Sequence, residues 1–155
     1  CSASLAFDGR KWWKPDAPLR LMFPATGGRL DSVSLWVKSP RPVALRFAFY
    51  GTERTGLYLP GPRILSAKVK VPAGGRRVDF PLGVTTSAGF HFLEVQAPRG
   101  VSFGFSAGRL PGVCTSMWDR KNYGKNWINL YSNWGWPLEN NLAFACSPTQ
   151  HSFAP

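Results

Sequence analysis

Residues 31–39, DSVSLWVKS, place Val33, Leu35 and Val37 at every second position, with Ser32, Ser34, Trp36 and Lys38 between them. A β-strand turns successive side chains to opposite faces, so this alternation predicts a strand with an apolar inner face and a polar outer one. The run at 43–50, VALRFAFY, repeats the pattern, with Val43, Leu45, Phe47 and Phe49 inward and Ala44, Arg46, Ala48 and Tyr50 outward. Two strands that agree on a two-faced sheet decide the class of the fold. If they pair with each other, Trp36, Arg46 and Tyr50 share one polar face, where Trp36 is either a ligand platform or a half-exposed ring covered by a loop.

The same signal extends in both directions. Upstream, Leu19, Leu21 and Phe23 alternate with Arg20 and Met22, and Pro24 to Arg29 reads as a turn around Gly27-Gly28. Downstream, a loop at 51–62 precedes ILSAKVKVP, where Ala67, Val69 and Val71 alternate with Lys68 and Lys70, and Gly74-Gly75 reads as a tight turn. A short strand at 77–81 carries Val78 and Phe80, and GFHFLEVQA (89–97) is another, whose parity sets Phe90 and Phe92 against Leu93 and Val95 without choosing the core side. Phe103 and Phe105 share a face in 100–106, and NLAFAC (141–146) closes the series. No helical periodicity and no internal repeat appear. The expectation is an all-β fold, an antiparallel two-sheet β-sandwich of jelly-roll type forming a single domain over 1–155, with a barrel as the main rival.

One stretch does not fit a core. Residues 118–136, WDRKNYGKNWINLYSNWGW, hold four of the seven Trp and two of the four Tyr, separated by residues such as Arg120, Asn126, Asn129 and Asn133. Buried Asn or Lys without partners costs free energy, so this mixture belongs at a surface. Indole and phenol rings stack on the C–H face of a sugar while planar amides and guanidinium groups pair with its hydroxyls. The candidate ligand-binding residues are therefore Trp118, Arg120, Tyr123, Asn126, Trp127, Asn129, Tyr131, Asn133, Trp134 and Trp136. Trp12 and Trp13, in the KWWK run at 11–14, extend the same platform.

The pattern from DSVSLWVKS through GFHFLEVQAPRG resembles the jelly-roll sandwiches called galactose-binding-like domains, which occur as carbohydrate-binding modules of secreted glycoside hydrolases. The segments LDSVSLWV, GFHFLEVQAP and GVSFGFS are particularly similar. The resemblance implies a non-catalytic role, the holding of a polysaccharide or oligosaccharide, often with a structural calcium ion and no other cofactor. The chain departs from that pattern in its positive charge and in its long Trp-rich insertion.

Composition weighs the competing classes. Nineteen Lys and Arg against eight Asp and Glu give a net charge of +11, a bias towards anionic partners such as a uronate or sulfated glycan, whereas the Asn-rich spacing of 126–136 suits a neutral one. Nucleic acid uses the same rings and cations, but the basic residues are spread along the chain and no binding signature of that class is present. Glycoside hydrolysis or polysaccharide lysis needs converging acid and base groups; Asp119 stands near the start of the aromatic stretch and Glu139 just after its end, and no spacing brings any two carboxylates together. His91 and His151 stand in no metal-binding motif, and there is neither a nucleophile elbow nor a phosphate loop. The chain reads as a binding module rather than an enzyme, with a structural or docking domain of a larger secreted protein as the alternative. No apolar run reaches the ~20 residues of a membrane helix.

Three cysteines permit one disulfide. Cys114 and Cys146 flank the aromatic stretch, so a bridge between them would tie it at both ends; three free thiols are the other reading. The leading Cys1 suits a lipidated cell-surface protein as well as a secreted one.

Overall fold

Val33, Leu35 and Val37 are all fully buried, whereas Lys38, between the buried Val37 and Ser39, is exposed and Trp36 half-buried. The structure, a computed structural model, describes residues 4, 6–9, 11–15, 18–51, 60–106, 114–116 and 141–148. Every regular element among them is a strand: β1 (Trp12–Trp13), β2 (Leu19–Ser39), β3 (Val43–Tyr50), β4 (Arg63–Val71), β5 (Gly74–Gln96), β6 (Ser102–Ser106), β7 (Cys114–Ser116), β8 (Asn141–Leu142) and β9 (Phe144–Ser147). All pairings are antiparallel, and they join the strands in the order β1-β6-β2-β5-β3-β4. The all-β expectation holds. The architecture is a curled antiparallel sheet around one core.

The backbone of this sheet is the ladder of β2 and β5, which runs from Leu19 opposite Val95 to Ser39 opposite Gly74. On its other edge β2 pairs in turn with β7 at 20–22, with β9 at 32–35 and with β6 at 37–38. Curling brings both ends of the ladder over a shared interior that holds Leu21, Phe23, Leu35, Phe47, Phe80 and Phe103. Each such side chain contributes about 1.5–3 kcal/mol when taken fully out of water. Phe47 and Phe80 meet edge to face with centroids 5.2 Å apart, a geometry that the ring quadrupoles favour.

The turn expected at Pro24 to Arg29 is not there. Gly27 and Gly28 take φ of 95° and 103°, yet the chain stays in register with β5 on both sides of them, Thr26 opposite Ala88 and Gly28 opposite Thr86. Positive φ at two glycines bends the strand instead of reversing it. A bulge follows, where Leu30 opposes Val84 but Ser32 opposes Pro81, leaving one extra residue on β5. Bulges of this kind increase twist and curl a sheet. The strand expected at 77–81 and the one at 89–97 are accordingly two ends of the single strand β5.

The open parity of 89–97 resolves in favour of Leu93 and Val95, which join the main core beside the buried His91. Phe92 is fully buried as well, but on the opposite face, across from the equally buried Met22. Residues 19–23 are thus buried on both faces, which hides the alternation that the upstream reading relied on. On the inward face of β4, Val71 is buried, Val69 and Leu65 are half-buried and Ala67 is exposed, because β4 is an edge strand.

Candidate functional site

The ten ligand-binding candidates between Trp118 and Trp136 lie outside the described residues, as does Asp119. The described part of the expected platform is the Trp12-Trp13 pair. Its two residues form β1 and pair with β6, Trp12 opposite Gly104 and Trp13 opposite Phe103, so β1 is the edge of the sheet opposite to β4. The Phe105 amide donates to the Lys11 carbonyl at 3.0 Å and extends this short ladder by one bond.

Adjacent residues on a strand face opposite ways, and the two indoles have different fates. Trp12 turns towards the outer face, where Phe7 meets it edge-on at 4.6 Å and Lys38 Nζ lies 5.7 Å from its ring centroid. It packs close to the backbone of Gly75, where an added Cβ would come within 3.3 Å of the indole. Trp13 turns to the side of Phe105, at 5.6 Å between centroids, and remains 44% exposed. Lys11 Nζ sits 5.6 Å from the Trp13 centroid. Each cation over an indole is worth about 0.5–1 kcal/mol at an exposed site, enough to orient a ring and too little to lock it.

A cleft of about 750 Å³ opens beside these rings, lined by Trp12, Trp13, Lys14, Lys38, Ser39 and Ser102 among others. It offers a ring face and two ammonium groups within one concavity, with the buried Ser39 and Ser102 in its wall, a combination that can hold a polyhydroxylated ring by stacking and hydrogen bonding. Ser39 Oγ donates to the Arg41 carbonyl at 2.6 Å, which fixes the turn at the end of β2 that forms one wall. Sequence reading flagged the rings and placed Lys38 on the outer face of its strand. It had no means of bringing Ser102 and Gly74 to the same spot, because those contacts depend on β2 pairing with β6 and β5.

Trp36 is not a platform shared with Arg46 and Tyr50. β5 lies between β2 and β3, so those strands do not pair. Trp36 opposes Arg77, whose Cζ lies 5.7 Å from the indole centroid, and Phe7 packs on it at 6.0 Å. Trp36 is a ring covered by the N-terminal segment, the second of the two readings.

The described acids are engaged with neighbours. Asp31 accepts from Arg29 Nε at 2.6 Å, Asp79 accepts from the Ser34 hydroxyl and stands 3.6 Å from Arg77 Nε, and Glu94 accepts from Arg20 Nε at 2.8 Å. Calcium takes six to eight oxygen ligands, carboxylates above all. Among the described residues no three His, Cys, Asp or Glu side chains converge. Among the same residues no helix is long and apolar enough to cross a membrane. No family model, curated protein or solved structure matches this chain.

Proposed function

We propose that this chain is a non-catalytic carbohydrate-binding domain of jelly-roll type, an accessory module of a secreted or cell-surface carbohydrate-active protein that holds polysaccharide on exposed aromatic rings. The observation that carries the reading is Trp13, an edge-strand indole 44% exposed at the mouth of a cleft that is also lined by Lys14 and Lys38. An exposed indole costs solvation unless something covers it, and a sugar face covers it while the surrounding polar groups stay hydrogen-bonded. The Trp-rich stretch 118–136 supplies further rings in the same chemical setting. Stacking on one ring contributes about 1–3 kcal/mol by analogy with nucleic-acid bases, so a few rings give weak to moderate affinity after association costs.

The engagement of Asp31, Asp79 and Glu94 with neighbouring side chains supports binding over hydrolysis, since a glycosidase needs one carboxylic acid and one carboxylate aimed at a shared bond. A disulfide between Cys114 and Cys146 belongs to the proposal on their places in the sequence alone, one on each side of the aromatic stretch, where a bridge would tie both of its ends. Thiol titration of the unfolded, unreduced chain should find one thiol; three would remove the tether.

The test is a glycan panel run by affinity electrophoresis at low and high salt, with the parent beside Trp13→Ala, Trp127→Ala and Trp134→Ala. Retention by at least one polysaccharide, reduced in the variants, is the expected result. If no glycan retards the folded parent, or if all three variants behave as the parent does, the rings are packing surfaces and the chain is a docking domain.

A further inference from the structure

A second concavity lies on the outer face of β3, β4 and β5, and its construction follows from the register. Three cross-strand rows run over that face: Lys68, Arg46 and Gln96; then Ser66, Ala48 and Glu94; then Arg63, Tyr50 and Phe92. The small Ala48 at the centre leaves a depression of about 380 Å³ between the longer side chains of the outer rows. That volume falls at the lower end of the ~300–1,000 Å³ typical of small-ligand sites. A bulge on β4, where Phe49 opposes Leu65 but Tyr50 opposes Arg63, re-aims Arg63 towards the depression.

The charge of the site is one-sided. Among the described lining residues Glu94 is the one acid, and Arg20 neutralises it from the neighbouring strand β2, at 2.8 Å. Arg46, Arg63 and Lys68 remain exposed, and none of them takes part in the ion pairs found among the described residues, Arg20–Glu94, Arg29–Asp31 and Arg77–Asp79. Arg46 and Lys68 are direct cross-strand partners. Like charges placed opposite each other destabilise a sheet, so this pair is retained at a cost that a bound anion would reverse. A guanidinium fork matches a carboxylate with two parallel hydrogen bonds. Ala48 offers an apolar floor for a pyranose C–H face, and the Ser66 hydroxyl stands at its rim.

We infer that this depression binds a carboxylate-bearing sugar unit of an acidic polysaccharide, with Arg46 and Arg63 holding the uronate carboxylate and Lys68 adding charge. The inference rests on the carbohydrate-binding reading and names a substrate class for it at a site separate from the Trp13 cleft.

The test is calorimetric titration of the 155-residue chain with a linear galacturonide trimer, its methyl ester, and a short single-stranded oligothymidylate. Arg46→Gln/Arg63→Gln and the control Arg29→Gln, at an exposed arginine outside both clefts, are run in parallel, with melting curves to show that the exposed substitutions leave the fold intact. The acid trimer should bind the parent and Arg29→Gln alike, with about tenfold or greater weakening in the methyl ester and in the double variant, the loss expected for a charge-assisted hydrogen bond. Equal binding of acid and ester, or of parent and double variant, overturns the site. Tighter oligothymidylate binding that depends on Arg46 and Arg63 overturns its sugar identity. Failure of the acid trimer while neutral glycans are still retained through Trp13 overturns this inference and leaves the carbohydrate-binding reading standing; failure of all glycans overturns both.

Discussion

Arg20 Nε donates to Glu94 Oε2 across the β2–β5 ladder at 2.8 Å, with side chains only 5% and 14% exposed. Removing one partner of a buried pair strands the other charge, at about 3–5 kcal/mol, whereas replacing both by apolar groups of similar size is often neutral. Glu94→Ala should therefore lower unfolding free energy by roughly that amount, and Arg20→Met/Glu94→Leu should recover most of it. Urea denaturation of the parent, both single variants and the double variant measures this. Additive losses would show that the two side chains do not act as a pair.

Gly104 is required by close approach. A Cβ built there would sit 2.7 Å from the Phe7 ring and 2.9 Å from Trp36 Cβ, distances that real atoms avoid. Gly104→Ala should displace Phe7 from its seat between Trp12 and Trp36 and cost about 1–3 kcal/mol, the usual range for overpacking. A shift in tryptophan emission with a lowered melting temperature is the expected outcome. Unchanged emission would mean that Phe7 does not pin the N-terminal segment.

His91 is buried in the core, stacked on Phe49 at 5.6 Å, with Nδ1 3.1 Å from the Gly89 carbonyl. Desolvation pushes its pKa below the ordinary 6.5, and the hydrogen bond to Gly89 opposes that shift. The unfolded chain therefore takes up a proton as pH falls through 6.5 while the folded chain does not. Stability attributable to His91 is complete above that value and declines as pH falls towards the depressed folded pKa. Denaturation midpoints taken between about pH 7.5 and 5.5 should fall in the parent and fall less in His91→Phe. An equal fall in both would place the proton uptake elsewhere.

Trp13 and Trp36 separate ligand contact from packing. Trp36→Ala removes the ring that Phe7 and Arg77 cover and should destabilise the fold with glycan retention preserved. Trp13→Ala, at an exposed edge, should change the melting temperature little and weaken retention on the glycan that binds. The reverse pattern would exchange their roles.

Alternation marks the inward sets of DSVSLWVKS and VALRFAFY in the sequence because the other face of each carries mostly polar or small residues, even where, as at Ser34 and Trp36, that face is covered. Over 19–23 it gives the same inward set, Leu19, Leu21 and Phe23, but not the burial of the other face, where Arg20 pairs with Glu94 and Met22 lies across from Phe92. Gly27-Gly28 was misread because positive φ serves a bend as well as a reversal, and only the partner strand distinguishes the two. The rings of KWWK were legible as a candidate surface. The row Lys68, Arg46, Gln96 was not, because it requires knowing that β3 sits between β4 and β5.

The central ladder has a kinetic consequence. β2 and β5 are separated in sequence by the whole of β3, β4 and the loop between them, and the other partners of β2, namely β6, β7 and β9, come later still. Among the described strands only β3 and β4 pair as sequence neighbours, from Tyr50 opposite Arg63 outward. Loop-closure entropy must be met before any β2 contact offsets it, which places the chain among slow folders, on the ~ms–s scale of β-rich proteins. Until β5 docks between them, β2 and the β3–β4 hairpin each present an unpaired apolar edge, so the interval before ladder closure is when the chain is most exposed to self-association.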